Sequence, residues 1–182
     1  RFHFSDHKHR GTLDSLNFKV EGKPAEHRFN TDNPDIAWVY FTATPLLPGK
    51  TITIETPFRV KIPASFSRLG HVGTSYQMTQ WYPKPAVYDR NGWHVMPVLD
   101  PGEFYSEFGS FNVKLPLPTN YMVGATGTLQ EAEERRWLLD RANSNREELL
   151  RRAADGMLSE DYVSEAYPPS GTAFKTITYT AE

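Results

Sequence analysis

Short stretches of the chain alternate between apolar and polar residues, which is the pattern of β-strands with one buried face. This pattern predicts strands at residues 16–20, 52–54, 58–62, 111–117 and 174–180. Residues 52–62 form either two strands or one long bent strand broken near Pro57. The uninterrupted apolar run at residues 36–41 predicts a strand in the centre of a sheet, buried on both faces. Residues 121–125 are predicted to be the return partner of the strand at 111–117.

Turn and loop signals separate these stretches. Pro48-Gly49 and Asn91-Gly92 predict tight turns, because proline presets φ and both asparagine and glycine tolerate a positive φ. The polar residues 63–75 predict a loop. Residues 76–85 contain two prolines among several aromatic residues, which predicts an extended and irregular segment.

One stretch of the sequence is typical of a helix. Residues 131–155 lack proline and mix charged residues with Trp137 and several leucines, which predicts one helix or two short helices interrupted near residues 143–145. Because strands precede and follow it, we predict a charged helical insertion at about residues 129–172. Residues 1–182 then form a single, mainly β domain, an antiparallel β-sandwich that carries this insertion.

Composition and charge exclude several classes of function. The formal net charge of −2 provides no field that would steer nucleic acid or anionic membranes to the protein. The longest apolar run, residues 36–41, is far shorter than the roughly 20 residues of a membrane-spanning helix. The chain contains no cysteine, which excludes disulfides, thiol nucleophiles and cysteine-based zinc sites. No signal peptide is visible, and we expect any targeting segment to lie upstream of Arg1.

The histidines near the beginning of the chain are the first candidates for a metal site. A zinc peptidase of the His-Glu-x-x-His kind needs two imidazoles one helical turn apart with a glutamate as base. His3 and His7 have the spacing, but Phe4 occupies the position of the base. His7 and His9 share one face in an extended chain and could chelate a metal with a third ligand. Exposed terminal histidines are the commoner explanation, and we predict no metal site.

Two glutamates raise the question of a glycosidase. Glu103 and Glu107 are four residues apart, which places them about 13 Å apart on an extended strand. Retaining and inverting glycosidases need their two carboxylates about 5–9.5 Å apart. We therefore predict a solvated strand with aromatic contacts at this position, and no catalytic residue in the chain.

Aromatic residues are concentrated in the middle of the chain. The members of this cluster are Trp81, Tyr82, Tyr88, Trp93, Phe104 and Tyr105. Such a cluster builds either a platform for a sugar or peptide or the core of a sandwich, and core is the commoner use. An exposed, flat face that includes Trp81 and Trp93 would favour a binding platform, and burial of both would count against it.

Several motifs near this cluster, taken in order, resemble a known family. They are Gln77-Met78-Thr79-Gln80-Trp81-Tyr82-Pro83-Lys84, Tyr88-Asp89, Asn91-Gly92-Trp93 and Gly102-Glu103-Phe104-Tyr105-Ser106-Glu107-Phe108-Gly109. This set is similar to the N-terminal domain of bacterial gluzincin metallopeptidases, the aminopeptidase N and leukotriene hydrolase family. The resemblance covers about residues 12–128 and 173–182.

The resemblance implies a saddle-shaped, non-catalytic β domain that packs on a thermolysin-like catalytic domain of the same polypeptide. That second domain carries the zinc, the His-Glu-x-x-His motif and the residues of the substrate motif, none of which is present in this sequence. The parent protein would be a periplasmic or secreted zinc aminopeptidase that acts on peptides.

Two glutamines are candidates for a role in the substrate cleft. In the resembling family, a glutamine of the N-terminal domain reaches the free amino end of the substrate. Gln77 and Gln80 are the residues at which the resemblance places this role. The alternative role is a hydrogen bond to loop backbone. A different function for the whole chain is a free-standing β-sandwich module that binds carbohydrate or a cell-surface polymer.

Overall fold

The computed structural model describes residues 6–41, 45–65, 67–98, 105–157 and 168–182. These residues confirm a mainly β protein, with short antiparallel strands and one α-helix. The chain divides into two compact units, Arg1–Glu107 and Phe108–Glu182. The single domain over residues 1–182 stays a prediction.

The first unit consists of small antiparallel sheets. Its strands are β1 (Thr12–Asp14), β2 (Lys19–Val20), β3 (Lys23–Pro24), β4 (Glu26–Phe29), β5 (Ala37–Tyr40), β6 (Ile54–Glu55), β7 (Arg59–Lys61), β8 (Leu69–Val72), β9 (Ser75–Met78), β10 (Val87–Asp89) and β11 (Gly92–His94). The sheets are β1–β7, β3–β2–β6, β4–β5, β8–β9 and β10–β11. Because β6 and β7 belong to different sheets, residues 52–62 form two strands.

Two sequence predictions for the first unit were wrong. Residues 36–41 do not form a central strand, because among the described residues β5 pairs only with β4, and it exposes Trp38 and Tyr40. Residues 63–75 do not form a loop throughout, because β8 lies within them and pairs with β9. The hairpin forms because Gly73 takes a positive φ between the two strands. The turn at Pro48-Gly49 is confirmed, and it is closed by a hydrogen bond from Lys50 N to Leu47 O.

The second unit contains one three-stranded sheet and the helix. Its elements are β12 (Phe111–Pro118), β13 (Thr128–Leu129), α1 (Ala132–Ala154) and β14 (Phe174–Ala181), with β14 between β12 and β13. The strands predicted at 111–117 and 174–180 are confirmed, and they pair with each other over eight residues.

The predicted pairing of residues 121–125 with β12 was wrong, because β14 takes that place. Val123 instead packs against the core of the unit and accepts a hydrogen bond of 2.7 Å from the Tyr179 hydroxyl. The preceding Asn120 side chain bonds Pro169 O and Gly171 N. Side-chain contacts therefore hold this segment beside β14 without strand pairing.

The core of the second unit lies on one face of its sheet. Along β14, Ile177 and Tyr179 are buried and pack with Leu129 of β13. Leu115 and Leu117 of β12 pack against the same cluster. Because side chains alternate between the faces of a sheet, all residues of β12 and β14 in this layer have odd numbers.

The helix α1 is anchored to the sheet near its first residues. The amide of Thr178 donates to the Glu131 carboxylate over 2.8 Å, which lowers the pKa of Glu131. Lys175 forms an ion pair of 2.6 Å with Glu134 and lies over the ring of Trp137. These contacts fix the first two turns of α1 against β14.

The helix runs without interruption through residues 143–145, so the single-helix alternative is correct. Asparagine and serine lower helix propensity by less than about 0.7 kcal/mol each, which does not break a helix of this length. No helix among the described residues is both long enough and apolar enough to cross a membrane.

Gly127 is required by the geometry beside β13, and we expect Gly127→Ala to destabilise the second unit. Its φ is +98°, and a Cβ atom would collide with the main-chain carbonyl of Thr180. The free energy of unfolding should fall by about 1–3 kcal/mol or more. Denaturant unfolding measures this change.

Gly124→Ala is the matched control, because a Cβ there meets no atom within 4 Å. Equal stability of the two alanine variants would contradict the assigned role of Gly127.

Candidate functional site

The two candidate glutamines lie at the end of one hairpin, which we call the glutamine hairpin (residues 69–80). It consists of β8 and β9, with Gly70 opposite Gln77 in the register. Gly70 is buried because the main-chain carbonyl of Ser65 lies against it, where a Cβ would collide. The backbone of Ser65 therefore packs closely against the residue opposite Gln77.

Gln80 follows the last rung of this hairpin. Thr79 donates from its amide and its hydroxyl to Arg68 O, which extends the pairing of β8 and β9 by one residue. Gln80 then adopts a φ of +55°, a left-handed conformation that is unfavourable for residues other than glycine. Strained residues of this kind are concentrated at functional sites.

The side chains of Gln77 and Gln80 are both exposed. In the described part of the chain, neither side-chain amide has a hydrogen-bond partner. The alternative role, a hydrogen bond to loop backbone, is thus not made by these amides. Their contact with a substrate stays a prediction.

A second hairpin, which we call the aromatic hairpin (residues 87–94), contains the predicted turn. The turn is confirmed: β10 and β11 are joined by Arg90 and Asn91, and Asp89 pairs with Gly92. Only Gly92 of the Asn91-Gly92 pair uses a positive φ. The main-chain amide of Asn91 donates a hydrogen bond to the Asp89 carboxylate, with 2.7 Å between Asn91 N and Asp89 Oδ1, and this bond closes the turn.

The register of the aromatic hairpin separates its side chains into two faces. Val87 and His94 are opposite each other, as are Tyr88 and Trp93. Val87 is buried, so the other face of the hairpin carries the aromatic pair. The rings of Tyr88 and Trp93 lie 4.9 Å apart between centroids, with exposed fractions of 66% and 54%.

The prediction that the aromatic cluster builds a core was wrong for three of its members. Tyr88, Trp93 and Tyr105 are exposed. Trp81 is half-buried, contacting Phe58 and Tyr82. Sequence density of aromatic residues could not show this, because only the register of a hairpin decides which face each ring occupies. Tyr88 and Trp93 are equally far from the two turn residues Arg90 and Asn91, and this symmetry in the sequence is the signal that could have predicted their pairing.

His94 and Asp89 form a polar cluster on the face of the hairpin that carries Val87. His94 Nε2 lies 2.9 Å from Asp89 Oδ2, although the ring is not aligned for a regular hydrogen bond. The Tyr105 ring contacts the His94 ring edge-on at 5.4 Å between centroids. The His94 ring and the Asn91 amide lower the pKa of Asp89.

Two other candidates yield no site. His7 and His9 lie in a 3-10 turn, so they are not arranged along an extended segment as the chelation hypothesis requires. Within the described ranges, no three histidine or acidic side chains are grouped so that they could hold a metal ion. His3, Glu103 and Phe104 lie outside the described residues, which leaves the spacing of Glu103 and Glu107 untested.

Large apolar side chains are exposed on both hairpins and elsewhere in the two units. On the glutamine hairpin they are Val72, Tyr76 and Met78. In the first unit, the exposed large apolar residues outnumber the buried ones among the described residues, which are Phe18, Val20 and Val87.

Comparisons of the chain with protein-family models, with curated proteins and with solved structures found no match. The indications of function are the spaced motifs between Gln77 and Gly109 and the geometry of the two hairpins.

The Asp89 carboxylate should make the aromatic hairpin sensitive to acid. Its pKa in the folded protein is lower than the ordinary value of 3.8, so ionised Asp89 stabilises the fold above about pH 4. This contribution is lost as the pH falls through the folded pKa. In Asp89→Asn, we expect the free energy of unfolding to change less between about pH 5 and pH 2.

His94→Gln should remove most of the same pH dependence, because the histidine is the largest cause of the shift. Denaturant unfolding at a series of pH values measures both variants. Identical pH profiles of the wild type and both variants would refute the coupling.

Proposed function

We propose that residues 1–182 form a non-catalytic N-terminal domain of a zinc aminopeptidase. In this proposal the chain adopts a saddle-like β-sandwich, packs on the catalytic domain of the same polypeptide and helps to shape the substrate cleft. Zinc and the hydrolytic residues belong to the catalytic domain. The ordered motifs from Gln77 to Gly109 support the family, and the lack of a His-Glu-x-x-His motif supports the non-catalytic role.

The observation that carries this proposal is the state of the two glutamines. Gln77 and Gln80 end the glutamine hairpin with exposed side-chain amides, and Gln80 is held in a strained backbone conformation. A glutamine carbonyl oxygen accepts hydrogen bonds from an ammonium group, which is the end of a peptide that an aminopeptidase recognises. An exposed acceptor at the end of a closely packed hairpin suits that task.

The exposed apolar residues of the same hairpin support the packing role. Val72 is on the face of the hairpin that carries Gln77, whereas Tyr76 and Met78 are on its opposite face. Burying them against another domain would stabilise the contact by about 25 cal/mol for each square ångström of apolar surface covered. A contact through the face of Val72 would also place Gln77 at the boundary of the two domains.

The kinetic test uses the full-length protein, whose gene should encode a His-Glu-x-x-His motif after Glu182. With an aminoacyl-4-nitroanilide as substrate, Gln77→Ala or Gln80→Ala should raise KM by roughly tenfold or more and change kcat little. A hydrogen bond to a charged group contributes about 1.5–3 kcal/mol, and it binds the ground state and the transition state alike.

Gln130→Ala is the control variant, because the Gln130 amide already donates to Thr128 and Thr180 and should not affect KM. Unchanged kinetics in both Gln77→Ala and Gln80→Ala would remove the substrate role. Peptide hydrolysis by residues 1–182 alone would refute the non-catalytic assignment as a whole.

The exposed aromatic pair favours a second candidate, a module that binds carbohydrate. Tyr88 and Trp93 present adjacent rings on the outer face of the aromatic hairpin. Sugar rings pack their C–H faces on such side chains, and the exposed Arg90 and Asn91 at the turn provide hydrogen-bond donors for hydroxyl groups. Trp81 is half-buried and does not contact Trp93, so any platform consists of the Tyr88–Trp93 pair.

If this second function holds, the chain should be retarded in affinity electrophoresis through gels that contain soluble xylan, glucan or peptidoglycan fragments. Trp93→Ala should abolish the retardation, because it removes half of the platform. Trp38→Ala, which removes an exposed tryptophan from β5, should leave it unchanged. Normal migration of the wild type in every polymer would exclude this function for the polymers tested.

A further inference from the structure

The strand β12 has one edge that carries no other strand in the described part of the chain. Its other edge pairs with β14, which lies between β12 and β13. Thr119 N, just after β12, donates to Ala173 O, so the odd-numbered residues of this strand direct their main-chain groups towards β14. The even-numbered residues therefore direct theirs towards the open edge.

The prolines of β12 agree with this assignment. Pro116 and Pro118 have no amide hydrogen, and the pairing with β14 continues through both positions. The two prolines do not interrupt the hydrogen bonds between β12 and β14, because their nitrogen atoms face the open edge. The amides of Asn112 and Lys114 remain as the two donors of that edge, each with its own carbonyl oxygen beside it as an acceptor.

We propose that this edge is an interface between two copies of the chain. A twofold axis at Val113 pairs Asn112 of one copy with Lys114 of the other, and Lys114 with Asn112. In an antiparallel pair, such residues exchange both of their N–H···O bonds. The two free donors of each copy are thereby satisfied by the two free acceptors of the other, as an isologous contact requires.

The side chains on the packed face also match in this register. Val113 lies opposite Val113 of the second copy, and Phe111 lies opposite Leu115. Phe111 is 42% exposed, whereas Leu115 already packs against the core of its unit. The twofold pairing thus covers an exposed aromatic ring with an apolar neighbour, and cross-strand pairs of this kind stabilise a sheet.

The sequence of β12 also limits pairing at this edge to one second copy. The two prolines remove the donors of the second half of the open edge, so no longer ladder can form. The pairing then satisfies both donors of this edge in each copy, and no further strand can be added at this edge. It uses only residues of the second unit and is independent of the proposed peptidase function.

Lys114 weakens the contact without preventing it. On the polar face, the two Lys114 side chains are diagonal neighbours across the axis, which is about 7–8 Å for such positions. Like charges at this distance repel each other, and salt screens the repulsion. We therefore expect a weak dimer that becomes tighter as the salt concentration rises.

Two substitutions at Lys114 test the proposal in opposite directions. Lys114→Pro removes a donor of the open edge and should weaken the dimer by about tenfold or more. Lys114→Thr retains the donor, removes the repulsion and should strengthen the dimer by roughly two- to fivefold. Sedimentation equilibrium of the chain up to millimolar concentration, at low and high salt, measures both effects.

Thermal unfolding provides the control. Lys114→Pro should remain folded, because its nitrogen faces away from β14 as that of Pro116 does. A wild-type chain that stays monomeric at every concentration would overturn the proposal. So would a dimer that Lys114→Pro, shown to be folded, does not weaken.

Discussion

The alternating direction of main-chain hydrogen bonds along β14 determines the arrangement of the second unit. Its odd-numbered residues bond β12 and its even-numbered residues face β13, where Gln130 N donates to Thr178 O. Where β13 ends, the Glu131 carboxylate accepts a hydrogen bond from the main-chain amide of Thr178, and it thus takes the place of a main-chain carbonyl of a neighbouring strand. The helix can therefore begin directly at the sheet, since the main-chain amide and carbonyl of Thr178 both keep a hydrogen-bond partner there. The same alternation leaves β12 with its open edge.

Hairpin register has the corresponding role in the first unit. Each hairpin has a short turn that fixes which residues are opposite each other, and a shift of one residue would exchange the two faces. On the aromatic hairpin this places Val87 inside and the Tyr88–Trp93 pair outside. On the glutamine hairpin it places Gln77 opposite Gly70, whose missing side chain lets the Ser65 backbone approach.

Both units combine a small core with much exposed apolar surface. Among the residues that the structure describes, the buried apolar side chains are Phe18, Val20 and Val87 in the first unit and Leu129, Ile177 and Tyr179 in the second. A domain with so few buried side chains gains stability from any contact that covers its exposed ones. The proposed packing on a catalytic domain and the proposed pairing through β12 would be two such contacts, and they would use different surfaces: the glutamine hairpin and the edge of one strand.

The sequence by itself determined the mainly β class, the long strands β12 and β14, the helix and the turn at Asn91-Gly92. These follow from local periodicity, which depends on residues close together in the chain. Only the tertiary structure decided that β14 pairs with β12 in place of residues 121–125, and that the aromatic pair is exposed. Strand partners and the covering of a face depend on residues far apart in sequence, whose pairing energy no local pattern contains.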